Sequence, residues 1–265
     1  MTVNNIARNQ MSEAMMRVAS GQRVNSARDD AAGAAIIEEM TAQVRGLDQG
    51  TRNTLDMQAL VNTAEGGLDS VSGSLQRVRE LSIQAANDTT SPAQREMINA
   101  EIQQLADHIG DQVNNVQFNT MNLLDGSREG FHTASGPDGQ GMTVRIDDMT
   151  SIAQAVADIN VTGRFDHAQV LDRIDSAIRD VAGARATLGA QANRLDYTAS
   201  ANTITSINLA DARSRIADAD IPREMAAVNQ ERVINEMQVL LQRQRQDDTE
   251  RETEVVRPPG AAGVQ

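Results

Sequence analysis

Residues 57–78, MQALVNTAEGGLDSVSGSLQRV, decide how this chain folds. Met57, Val61, Ala64, Leu68, Val71, Leu75 and Val78 recur there at alternating steps of four and three. A mean spacing of about 3.5 residues held over three heptads marks a helix whose seam needs a partner helix. Working outward, the helical pattern extends from about Ala34 to Ala86, a rod of roughly 80 Å at about 1.5 Å per residue. Such a rod cannot bury its stripe alone. Leu171, Ile174, Ile178, Val181, Arg185, Leu188, Ala192 and Leu195 repeat the pattern in the second half, with Arg185 as one polar interruption. Ile98, Ile102, Leu105, Ile109, Val113 and Val116 form a shorter third stripe. The three stripes predict an antiparallel three-helix bundle. Glycines 46, 50, 66, 67, 73, 183 and 189 interrupt it, each costing about 1 kcal/mol relative to Ala inside a helix. They permit either a close approach or a bend.

Proline punctuates the pattern. Pro92 after Thr90 and Ser91 reads as a cap followed by a helix start, and Pro222 after Asp218, Asp220 and Ile221 as another start or a break. Over 117–165 the helical period stops. Pro137-Asp138-Gly139 followed by alternating Met142, Val144 and Ile146 predicts a β-hairpin, with Phe118, Phe131 and Phe165 available for a small local core. Beyond about Glu254 the charged and then Pro/Gly/Ala-rich tail is expected to be disordered.

Composition narrows the function. The 265 residues include no Cys, no Trp, one Tyr and three Phe. Aromatics are too few for a thick core; Ala, Val, Ile, Leu and twelve Met suit thin helical interfaces. A net charge of −13 repels phosphate backbones and argues against nucleic acid as a partner. No stretch reaches the roughly 20 apolar residues of a membrane span, and residues 1–16 carry no Sec-type signal, so export would need another route.

Catalytic patterns are not met. His108, His132 and His167 share no ligand spacing, and His108 beside the third stripe reads as a partly exposed structural residue. Asp166-His167 lacks a Ser or Cys in a recognisable context. HExxH, a P-loop and a GxGxxG after a strand are missing. Asp147-Asp148 and Asp218/Asp220 read as turn and helix-start residues rather than a cation site. No enzyme, cofactor or metal is expected.

Five ordered strings resemble the bacterial flagellin family: VASGQRVNSARDDAAGAAI at 18–36, LQRVRELSIQAAN at 75–87, VQFNTMNLLDG at 116–126, IDSAIRDVAGARATLGAQANRLDYT at 174–198 and ARSRIADADI at 212–221. The resemblance covers roughly 12–230. It implies a mainly α chain: a long antiparallel coiled-coil rod of three helices, paired terminal helices and a small β-hairpin insertion. The domains would be 1–33 with 222–265 (inner terminal helices, with a junction at Asn25, Arg28, Asp29, Asp30 and Gly33), 34–125 with 165–221 (rod), and 126–164 (variable outer segment). The implied function is a self-assembling subunit of the extracellular flagellar filament. Implied partners are copies of itself, the flagellar export apparatus and flagellin chaperone, the filament cap and hook-associated proteins. A flagellin-sensing Toll-like receptor of the host is a further one. By motif matching, Arg77, Leu81 and Glu101 are the receptor residues, with Arg79 and Glu80 on the same packing surface and Leu75, Val78 and Leu81 partly inward; local helix salt bridges are the plainer reading of these charges.

Helix faces carrying Ala, Gly, Gln, Asn and Ser suit repetitive packing, and a contact that does not close on itself gives a filament. The resemblance implies Ile6, Met15, Val18, Val233, Met237, Leu240 and Leu241 as the terminal-helix assembly residues. Both ends depart from the family. The apolar lead before the junction is short, and the chain is heavily charged after Leu241 where the family has an apolar finish. Two alternatives therefore stand beside the filament subunit: a hook–filament junction protein, and a non-polymerising secreted paralogue acting as adhesin or regulator.

Overall fold

A computed structural model describes residues 2–128 and 130–255, with side chains for 11–128, 130–249 and 251. The elements are α1 (Thr2–Ser20), α2 (Ala31–Ala85), α3 (Pro92–Asn115), β1 (Gln117–Phe118), β2 (Met121–Asn122), β3 (Phe131–Ala134), β4 (Gly141–Val144), α4 (Thr150–Ala157), α5 (His167–Ala217) and α6 (Ile221–Val255). The chain divides into two compact units: Ala42–Asn208, and the flanking segments up to Thr41 and from Leu209.

In the central unit the seam read from sequence is the core. Met57, Val61, Ala64, Leu68, Val71, Leu75 and Val78 are buried with Ile98, Ile102, Ile109 and Val113 of α3 and Ile174, Val181, Leu188 and Leu195 of α5. Burying each large aliphatic side chain contributes about 1.5–3 kcal/mol. Cross-helix pairs fix the directions. Going up α2, Ser70 meets His108 and Arg77 meets Glu101, while Glu65 meets Arg185 and Arg79 meets Asp175. Partners descend in number as α2 ascends, so α3 and α5 both run antiparallel to it.

The caps follow local chemistry. Ser91 accepts from the Gln94 N–H at 3.3 Å while the Gln94 side chain accepts from the Ser91 N–H at 2.9 Å, a capping box ahead of Pro92. Asp166 accepts from the N–H groups of Ala168 and Gln169 and so starts α5.

The middle departs from the expectation in two respects. Residues 117–165 are not helix-free: just after a turn in which Asp148 accepts from the Thr150 N–H at 2.8 Å comes the eight-residue α4, whose Ile152 and Val156 are buried. There are also two small sheets. β1 and β2 pair across Asn119 and Thr120, both at positive φ (48° and 64°), as a two-residue hairpin turn of right-handed twist requires. β3 and β4 pair from Phe131↔Val144 to Ala134↔Gly141, the hairpin expected around Pro137–Gly139. Its core is not a separate one: Phe131, Val144, Ile146 and Met149 join the same buried cluster as the rod seam.

The glycines of α2 serve different purposes. A Cβ on Gly46 would stand 2.8 Å from Pro137 Cα, and one on Gly50 would collide with the Ser135 carbonyl; the hairpin tip rests on the backbone of α2. The tip is clamped there by Asn53 Nδ2 to the Ala134 carbonyl (2.8 Å) and Asn202 Nδ2 of α5 to the Ser135 carbonyl (2.7 Å). Around Gly66, Gly73, Gly183 and Gly189 there is open space. Alanine at any of these four is expected to raise stability by about 1 kcal/mol. Gly50→Ala is expected to lower it and loosen the hairpin. Thermal denaturation of the five single variants checks the difference in sign.

In the flanking unit α1 ends on Gly21 at φ 70°, the left-handed cap that glycine favours. The chain then pairs with the end of α5: the Arg23 N–H donates to Ala217 and the Ala219 N–H to Gly21. Arg17 and Glu224 pair at 3.0 Å, joining α1 to α6. The tail expected to be disordered lies, beyond Val255, outside the described residues.

Candidate assembly surface

The charges of LQRVREL are held within the central unit. Arg77 donates from Nη2 and Nε to Glu101 Oε1 (2.8 and 3.1 Å) and from Nη1 to Glu80 (3.2 Å). Hydrogen bonds to Glu101 first, then to Glu80, hold its pKa above the ordinary arginine value. Arg79 binds Asp175 of α5 at 2.7 Å, and that bond raises its pKa likewise. Arg77, Glu80 and Glu101 thus form one exposed cluster across α2 and α3, and Arg79 points to α5. Leu81 requires a correction. It is 2% exposed and packs in the core, so it supports this surface from beneath and is not part of it.

Arg185, the polar interruption in the α5 stripe, has a partner set that spacing did not reveal. Its guanidinium meets Glu65 at 3.1 Å and Asp69 at 3.0 Å on α2. Glu65 and Asp69 are four apart, on one helix face, so two carboxylates converge on one cation. Arg185→Glu is expected to lower the stability of the central unit by about 1 kcal/mol at low salt. The loss shrinks as salt rises, and urea titrations at two ionic strengths measure it.

The junction residues build a capped turn in the flanking unit. Asp29 accepts from the backbone N–H groups of Asn25 (3.1 Å) and Ser26 (2.9 Å) and from the Ser26 hydroxyl. Asp30 accepts from the Gly33 N–H at 2.8 Å and caps α2. A Cβ on Gly33 would collide with the Asp30 carboxylate, so glycine there leaves room for the cap. Arg23 stands 3.8 Å from Asp30; Arg28 is exposed. Desolvation raises the Asp29 pKa, but the hydrogen bonds from Ser26 and Asn25, with the charge of Arg17, outweigh it and bring it below the ordinary value. A carboxyl with a depressed folded-state pKa stabilises above its unfolded pKa, and the contribution is lost as pH falls through the folded value. The Asn25 and Ser26 amide resonances are therefore expected to titrate with a midpoint below the usual aspartate range.

In the terminal pair Ala14 is buried, while several large apolar residues stay exposed. α6 meets α1 through Glu224 on Arg17 and Asn235 on Met11, and Ala227, Val228, Glu231 and Gln238 are half-buried beside them. Val233, Met237, Leu240 and Leu241, at steps of four, three and one, are each more than half exposed, as are Met15 and Met16 on α1. Val18 is half-buried, and the Ile6 side chain lies outside the described residues. Met16 and Met225 extend the exposed apolar set beyond the residues chosen from sequence.

The central unit is thus an antiparallel helical rod, and the flanking unit holds a terminal helix pair with exposed apolar residues. Residues 1–129 match the bacterial flagellin N-terminal helical region and residues 171–249 the C-terminal helical region. The chain belongs to the bacterial flagellin family. It is 39% identical to a flagellin of Halalkalibacterium halodurans over 86% of this chain and 85% of the relative. It is 34% identical to the flagellin of Bacillus subtilis over 84% of each chain. The crystal structure of Bacillus cereus flagellin aligns with TM-score 0.52 and 30% identity, covering 57% of this chain and 88% of that one. A putative flagellar hook-associated protein of Vibrio parahaemolyticus aligns at TM-score 0.61 and 16% identity, over 72% of this chain and 100% of that one, a likeness of fold alone. The protein is a structural subunit of the bacterial flagellar filament, exported and extracellular, and not an enzyme. Among the described residues no helix is long and apolar enough to cross a membrane.

Proposed function

We propose that this subunit grows filaments by burying the bare stripe Val233, Met237, Leu240 and Leu241 of α6, with Met15 of α1, against neighbouring copies. The stripe carries the reading: heptad-spaced aliphatic side chains left in water are stabilised once another helix covers them. In this reading 1–33 with 222–265 serve as the inner domain, 34–125 with 165–221 as the rod and 126–164 as the outer segment. The export apparatus, a flagellin chaperone, the filament cap and hook-associated proteins are the remaining partners, reached through a route without a cleaved signal. The test is to purify the full chain as monomer, seed it in ammonium sulfate, which strengthens apolar burial, and image the product. Tubular filaments support the reading. Persistent monomer with intact helical circular dichroism favours a hook–filament junction role or a non-polymerising secreted paralogue.

A second reading rests on the exposed Arg77–Glu80–Glu101 cluster: the free monomer is recognised there by a flagellin-sensing Toll-like receptor of the host. Reporter cells bearing that receptor, given wild type and the Arg77→Ala, Glu101→Ala variant, test it; equal activation rejects it.

A further inference from the structure

The chain has no Cys and no Trp but twelve Met, which makes thioethers its most readily oxidised groups. Their exposure is uneven. Met57 and Met149 are buried in the core of the central unit. Met15, Met16, Met225 and Met237 of the terminal helices are each more than half exposed. Met237 sits in the middle of the bare α6 stripe, between Val233 and Leu240. Met11 faces α6, where Asn235 Nδ2 lies 4.0 Å from its sulfur.

We propose that Met15, Met16, Met225 and Met237 form a sulfoxidation site through which peroxides stop filament growth; the proposal rests on the assembly reading above. The thioether sulfur attacks one oxygen of hydrogen peroxide, the O–O bond breaks, an S–O bond forms and the second oxygen leaves as water. Sulfur is oxidised by two electrons and the peroxide is reduced. The product is a polar, chiral side chain that methionine sulfoxide reductases convert back. In the monomer the change is harmless, because these side chains stand in water. Within a packed stripe it leaves a strong acceptor without a donor, which opposes burial. Oxidation thereby discriminates between free subunits and subunits whose stripe is already covered.

The test uses the full-length monomer treated with hydrogen peroxide. Mass spectrometry follows each sulfoxide, and seeded growth is followed by sedimentation and electron microscopy. Met15, Met16, Met225 and Met237 are expected to oxidise several-fold faster in monomer than Met57 and Met149, and several-fold slower in preformed filaments. The concentration needed for growth is expected to rise roughly tenfold or more after treatment, and to recover after incubation with both sulfoxide reductases and a thiol reductant. In a variant with leucine at all four positions, growth after peroxide should equal that variant's own untreated growth, whatever its level. Met97→Leu should give no protection, since Met97 is exposed on α3, outside the terminal pair. Unchanged growth of the oxidised wild type, or equal loss in the four-leucine variant, overturns the proposal alone. Failure of the untreated chain to grow on seeds overturns the assembly reading and this one with it.

Discussion

Leu240→Glu combined with Leu241→Glu leaves the monomer folded and abolishes filament growth. Both side chains are more than half exposed, and surface substitutions of that kind usually change stability by no more than about 0.5 kcal/mol. Circular dichroism and the thermal midpoint should match wild type. In the packed stripe the same change removes two aliphatic contacts and asks two carboxylates to leave water without partners, costing several kcal/mol. The chain is already acidic, with a net charge of −13, so the added carboxylates also raise repulsion between copies. Because the lesion repeats at every subunit, the concentration needed for growth should rise by at least about a hundredfold. Sedimentation after seeding measures it. Growth at the wild-type threshold would show that this stripe is not the packing surface.

The second large effect separates two neighbours in one motif. Leu81→Ala is expected to destabilise the central unit by about 2–5 kcal/mol, because the side chain is 2% exposed and belongs to the continuous core. The thermal midpoint should fall by roughly 10 °C. Arg77→Ala removes exposed ion pairs to Glu80 and Glu101 and should cost at most about 1 kcal/mol. Any receptor response lost in Leu81→Ala should then return when the assay is cooled, whereas a loss in Arg77→Ala should not. A Leu81→Ala protein that melts with wild type would contradict its place in the core.

The rod was legible because its chemistry is repetitive. Seven seam positions from Met57 to Val78 carry the same instruction, and one misread residue does not change the answer. The helix α4 was not legible, since eight residues supply only Ile152 and Val156 as a buried pair, too little for a period to register. The β1–β2 turn depends on Asn119 and Thr120 at positive φ, a conformation Asn tolerates but Thr does not advertise. Leu81 was grouped with the surface residues through family likeness and read as only partly inward; its step of three from Val78 continues the seam, and it is buried outright. In the terminal pair the stripe itself was legible, but its direction was not. Which face of α6 meets α1 is marked by Arg17–Glu224 and Met11–Asn235, partners far apart in the chain.

Arg185 also sets the register of the rod. A heptad seam is degenerate: sliding α5 along α2 by seven residues still sets aliphatic side chains against aliphatic side chains, and apolar burial alone barely penalises the slip. In the native alignment Arg185 lies between Glu65 and Asp69. A slip of seven in one direction brings it to Gln58 and Asn62, and in the other to Ser72 and Gln76. Neither alternative offers a carboxylate at those positions. The single charge that breaks the apolar pattern therefore lets a monotonous seam distinguish its correct alignment from the two nearest wrong ones.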